Sequence, residues 1–127
     1  MKKAIALLLA LVMVFALCAC GGGGDSASGE KVVKIGVFEP ASGDSGAGGK
    51  KEMLGMQYAN QETPTVEIGG ETYKVELVYS DNGSDSAKAV SAASKLVNEK
   101  VSLVLGSYGS GVSIAASDTF KQAGIPA

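Results

Sequence analysis

The sequence predicts an α/β fold: a parallel, doubly wound sheet with helices on both faces. Three observations lead there. From Val32 onward, strand-like and helix-like patterns alternate along the chain. The strand-like segments are nearly continuous in apolar character, as strands covered on both faces are. The helical segments are rich in Ala, so a helix can approach a sheet closely. A β-α-β-α-β-α order calls for right-handed crossovers that lay each helix over the sheet.

The elements follow in order. Val32 to Glu39 (VVKIGVFE) is β-branched and reads as the first strand. Lys50 to Gln61 reads as a helix that offers Met53, Met56 and Tyr58 to one face, and Pro64 ends it. Thr65–Ile68 and Glu71–Lys74 flank Gly69-Gly70, a pair that supplies the positive φ angles of a tight hairpin turn. The second arm continues to Ser80, with Tyr73, Val75, Leu77 and Tyr79 on one face. Asp81-Asn82-Gly83-Ser84 is a turn cluster, and Asp85 or Ser86 stands where a helix cap belongs. In the helix from Ser86 to Glu99, Ala89, Ala92 and Leu96 form a stripe, with Val90, Ala93 and Val97 beside it. Val101–Leu105 is a short buried strand and Gly106–Ser110 a tight loop. The last helix runs from Gly111 to Gln122, with Val112, Ala115, Ala116, Thr119, Phe120 and Ala123 at helical spacing and Gly124 at its stop. Ile125-Pro126-Ala127 starts a further strand. A sheet ending there leaves backbone groups unpaired and apolar surface uncovered. The folded part, residues 31–127, is therefore expected to be the N-terminal piece of a longer protein.

Composition narrows the chemistry. With 127 residues the chain has room for one domain. At 46% hydrophobic and 19% charged it is not a disordered chain. A formal charge of −2 lacks the clustered basic surface that nucleic acid requires. His is absent, which excludes Ser-His-Asp and Cys-His catalysis and every His-containing zinc site. Two Cys cannot build a disulfide framework.

The N-terminus reads as an address. Lys2 and Lys3 precede an apolar run, Ala4 to Leu17. It falls short of the roughly 20 residues that span a bilayer, and it fits a secretory signal. Leu17-Cys18-Ala19-Cys20 resembles the lipobox of bacterial lipoproteins, with Cys20 as the lipidated residue; Cys18 fits less well, because it would put Leu17 directly before the modified Cys. Residues 1–19 are then a signal peptide, and residues 20–30 a lipid-anchored Gly/Ser tether (GGGGDSASGE from Gly21). More than one acyl chain on Cys20 would hold the protein firmly on the extracytoplasmic face of the cell membrane.

In open α/β sheets, ligands bind outside the carboxyl ends of the strands, where strand order reverses. In a 2-1-3 order that crevice lies between the loops after the first and third parallel strands. Here these are Glu39–Gly49 (EPASGDSGAGG) and Gly106–Gly111 (GSYGSG), both rich in Gly and Ser. Ser42 and Gly43 stand in the first. The second offers Ser107 and Ser110 as donors, with Ser113 just beyond and Tyr108 as an aromatic wall. It also leads into a helix N-terminus, a place for a carboxylate. Taken singly, each Ser reads rather as an ordinary turn or cap residue; the convergence of two such loops is what points to a site. Neither loop is a Walker A motif or a G-x-G-x-x-G fingerprint. Gly43–Ala47 has no His to activate Ser45. Asp81 to Asp85 lacks the closing Glu of a calcium loop, and a turn with a helix cap accounts for it. No catalytic residue, metal or cofactor is expected.

The stretch VKIGVFEPASGDSGAGGKKEMLGMQYA, followed by LVYSDNGSDSAKAVSAASKLVNEKVSLVLGSYGSGVSIAASDTFKQAGIPA, resembles type I periplasmic substrate-binding proteins of ABC transporters, in the leucine/isoleucine/valine-binding branch. The resemblance spans residues 32–127. It implies an incomplete N-terminal lobe of a two-lobed protein that closes on a small ligand. It implies a binding protein rather than an enzyme, one that captures an amino acid, of branched-chain type, and delivers it to an ABC permease. It assigns the ligand carboxylate to the Ser110 hydroxyl and nearby amides, with Ser107 and Ser113 close by, and gives Ser42-Gly43 a contributing place. Ala47-Gly48-Gly49 stands where some members carry an aromatic contact. The alternative is a sensor module of the same fold that feeds a signalling receptor.

Overall fold

The computed structural model describes residues 30–127. The signal peptide, Cys20 and the tether as far as residue 29 lie outside the described residues.

Four strands form one sheet in the order β2-β3-β1-β4: β1 (Val32–Val37), β2 (Thr65–Ile68), β3 (Glu71–Tyr79) and β4 (Leu103–Leu105). β1 runs parallel to both β3 and β4, with Ile35 opposite Leu77 on one side and Leu103 on the other. The three parallel strands thus take the 2-1-3 arrangement. β2 is the antiparallel exception, hairpinned to β3 through Gly69 (φ 61°) and Gly70 (φ 81°). Two positive φ angles in a two-residue loop match the twist of the flanking strands. Beyond β4, the Val104 amide donates to the Pro126 carbonyl at 2.9 Å, so Ile125-Pro126-Ala127 pairs along the sheet as a strand would.

Three helices cover the faces: α1 (Gly46–Glu62), α2 (Ser86–Asn98) and α3 (Ser110–Ala123). α2 and α3 share one face. Ala89, Ala93 and Leu96 of α2 and Val112, Ala116 and Phe120 of α3 bury together with Phe38 and Val104. Phe38 and Phe120 meet edge to face at 5.5 Å. Gly36 seats α2: a Cβ there would lie 3.0 Å from Val104 Cγ2 and 3.1 Å from Leu96 Cδ1. α1 lies over the other face, across Val33, Ile35, Val75 and Leu77.

Several boundaries differ from expectation. α1 starts at Gly46 rather than Lys50. The glycines read as the end of the first loop instead admit a helix against it, since a Cβ on Gly49 would overlap the Pro40 carbonyl. Tyr58 points to solvent at 65% exposure, while Met56 lines the sheet side. Val90 is also exposed, because the buried stripe of α2 runs through the small residues Ala89, Ala92 and Ala93. α3 begins at Ser110, and Gly124 closes it in the left-handed conformation at φ 68°.

Candidate functional site

The loops after β1, β3 and β4 meet at the carboxyl end of the sheet, and two side chains of the middle loop stitch them together. Asp81 Oδ1 accepts from the amides of Ala41 (2.8 Å), Ser42 (3.2 Å) and Gly83 (2.9 Å). Its Oδ2 accepts from the Ser42 hydroxyl at 2.6 Å and from Lys88 Nζ at 3.4 Å. Partial burial pushes the Asp81 carboxyl upward. The Ser42 hydroxyl and the amides of Gly83, Ala41 and Ser42 outweigh it and hold the group well below the usual carboxylate range.

Asn82 is fully buried. Its Nδ2 donates to the carbonyls of Phe38 (2.9 Å) and Ser107 (3.3 Å), and its Oδ1 accepts from the Ser84 amide at 3.0 Å. One amide side chain therefore fixes the ends of β1 and β4 to each other. Ser84 Oγ accepts from the Ser45 amide at 3.0 Å, which anchors the start of α1.

Between these loops lies a cavity of ≈ 170 Å³. Pro40 and Ser45 line it from the first loop, Ser84 and Ser86 from the second, and Ser107 to Gly109 with Gly111 and Val112 from the third. Tyr108 is left-handed at φ 67°, a costly conformation for a residue with a bulky side chain. It is half exposed, and its ring covers Gly48, where a Cβ would lie 2.5 Å from the ring. No side chain caps α3, whose N-cap is Gly109. The amides of Val112 and Ser113 turn back to the Gly109 carbonyl, so those of Ser110 and Gly111 stay open to an outside acceptor. With the helix dipole, they present partial positive charge at that end of α3.

The expected residues divide accordingly. Ser107 and Tyr108 line the cavity, and Ser110 sits exposed on the turn between its Gly109 and Gly111 walls. Ser113 hydrogen-bonds Ser107 hydroxyl to hydroxyl at 2.5 Å. Ser42 and Gly43 lie on the same edge but do not line the cavity. The Ser42 hydroxyl is held by Asp81, and Gly43 (φ 76°) packs against the Gly83 carbonyl, where a side chain would not fit. Sequence reasoning missed Asp81 and Asn82 as organisers. An Asp-Asn pair directly after a strand whose neighbours end in Gly/Ser loops was the available signal.

Residues 32–127 match the periplasmic binding protein family. The chain belongs to that family. Among curated periplasmic binding proteins it is similar to "Leu/Ile/Val-binding protein homolog 2" of Brucella abortus, 32% identical over 93 residues, covering 73% of this chain and 25% of that one. Among solved structures it resembles the leucine-binding protein LivK of Thermotoga maritima, with a TM-score of 0.68 and 35% identity, over 75% of this chain and 26% of that one. It also resembles the branched-chain amino acid transporter substrate-binding protein LivJ of Streptococcus pneumoniae, solved with isoleucine, with a TM-score of 0.66 and 35% identity, over 76% and 28%. The chain thus spans about a quarter of the length of these relatives, and its fold is that of a partial N-terminal lobe of a type I periplasmic binding protein.

Proposed function

We propose that this chain belongs to an extracytoplasmic solute-binding lipoprotein that captures an amino acid of branched-chain type and delivers it to an ABC permease. The observation that carries this reading is the cavity at the open start of α3, lined by Tyr108, Gly109 and Gly111, with the exposed Ser110 on the same turn and two amides without an internal partner. A carboxylate placed there accepts from Ser110 and from the amides of Ser110 and Gly111. The Tyr108 ring then flanks the ligand's aliphatic part. Relatives named for leucine, isoleucine and valine support the ligand class. Ser107, on the cavity wall, and Ser113 hold the turn through their hydroxyl-to-hydroxyl hydrogen bond. Ser42 acts through Asp81 and Gly43 through its close fit on the Gly83 carbonyl, fixing the loop rather than touching the ligand. Cys20 carries the lipid that keeps the protein at the membrane face.

Calorimetric titration of the full-length protein with leucine, isoleucine and valine tests the binding role. Binding is expected, and Ser110→Ala should weaken it about tenfold or more, the effect of losing a hydrogen bond to a charged group. Absence of binding to any amino acid would refute the ligand class. Incorporation of labelled palmitate, lost in Cys20→Ala, tests the anchor.

A further inference from the structure

Two residues beside the candidate cavity are poor local choices, and they touch each other. The first is Gly48, in the opening turn of α1. Its φ is not positive, so its backbone has no need of glycine, and its amide donates to the Ser45 carbonyl at 2.9 Å. Glycine there weakens the helix relative to alanine. The second is Tyr108. The Gly109 amide donates to the Ser107 carbonyl at 2.8 Å, which puts Tyr108 in the middle of a three-residue turn. At φ 67° this is the rare, strained γ-turn, a conformation glycine takes freely. One contact accounts for both choices. A Cβ on Gly48 would lie 2.5 Å from Tyr108 Cζ and Oη and 2.6 Å from Cε2, so the phenol end of the ring rests on the bare Cα. Gly46 and Gly49 differ: they pack on Ala41 and Pro40 of the first loop, whereas Gly48 meets the loop after β4. Tyr108 also lines the cavity and stays half exposed, so it joins α1 to the cavity wall.

We propose that Gly48 is a positioning residue of the amino-acid site, a role that rests on the function proposed above. Its missing side chain seats the Tyr108 ring against α1, and that seat sets the room left for the ligand's aliphatic part. α1 stands on one side of the ring. A side chain at position 48 therefore moves the ring away from the helix and off its place in the wall. What gives way is the far end of a side chain rather than backbone, so the fold absorbs the change and the loss falls on the ligand. A ring already held by the helix also spares the entropy of ordering it when the ligand arrives.

The test uses the full-length protein, titrated calorimetrically with leucine, isoleucine and valine, with Gly48 followed by NMR. In the wild type the Gly48 α-protons should carry the ring-current shift of protons close to an aromatic ring, and Tyr108→Gly should abolish it. Gly48→Ala should keep or raise the melting temperature, because alanine favours the helix, and should weaken binding about tenfold. Added to Tyr108→Gly, Gly48→Ala should cost no further affinity, since the group it collides with is gone. Equal affinity in the wild type and Gly48→Ala overturns the proposal. So does a Gly48 α-proton shift that survives Tyr108→Gly, or losses that multiply in the double variant. A wild type that binds none of the three amino acids refutes the amino-acid reading, and the seat falls with it. A wild type that binds, with Gly48→Ala binding as well, removes the seat alone. Should Gly48→Ala fail to fold, recovery of folding in the double variant supports the proposal and continued failure overturns it.

Discussion

Asp81 determines where the first loop sits. Four donors from two loops converge on its carboxylate, three of them amides with no other partner in view. Asp81→Asn keeps the shape but removes the charge and gives one side of the group a donor where acceptors are needed. A loss of about 1–3 kcal/mol is expected, read as a lower denaturant midpoint at unchanged slope. The pH dependence of this clasp follows from the lowered carboxyl. A depressed carboxyl stabilises the fold above its unfolded value and loses that contribution only as pH falls through the folded one. The Asp81 clasp should therefore survive mild acid and open well below the usual carboxylate range, visible as late acid release of Ser42 and Ala41 amide protection. Tyr108 carries a different kind of tension. Tyr108→Gly removes the left-handed strain at φ 67° and also the ring over Gly48. Thermal stability should hold or rise while amino-acid affinity falls, a split that a merely structural tyrosine would not produce.

Helix ends and helix surfaces differ in how plainly they show in the sequence. Asp85 was one of two candidates for the α2 cap, and its carboxylate accepts from the amides of Ala87 (2.6 Å) and Lys88 (3.2 Å). Asp85→Ala should cost about 1 kcal/mol, measured by thermal or chemical melting. The Ala/Leu stripe of α2 was equally legible, because small residues at helical spacing have one obvious use against a sheet. Ala93 is fully buried there, so Ala93→Leu should lift α2 from the sheet and cost about 1–3 kcal/mol through overpacking. The start of α1 was not legible. Gly46-Ala47-Gly48-Gly49 has the composition of a loop, and local propensity argues against a helix. Tertiary fit overrides it, since only glycine lets the helix lie on Pro40 and under Tyr108. The site shared this weakness. Both loops could be named from the strand order, but Ser42 pairs with Asp81 rather than facing the cavity, a long-range contact that no local pattern encodes.

At the scale of the molecule the two faces of the sheet are unequal. The face under α2 and α3 is closed by a dry core. Among the described residues the other face meets only α1, and between them remains an apolar cavity of ≈ 790 Å³, walled by Val33, Ile35, Val75, Leu77, Leu103 and Leu105 from the strands and Met56 from the helix. It is far larger than the polar cavity at the loop edge, yet it offers almost no group to orient a ligand, so it is a packing surface rather than a binding site. The alternation of Val75 and Leu77 along β3 announced an apolar face. Exposed apolar surface of this extent drives association. The segment from Glu30 to Ala127, prepared by itself, should bind a hydrophobic dye and self-associate as concentration rises. Leu77→Lys should reduce both, because a charge in the middle of that face opposes its burial against another apolar surface. A monomeric segment that melts in one cooperative step without dye binding would mean that α1 alone suffices to close the sheet.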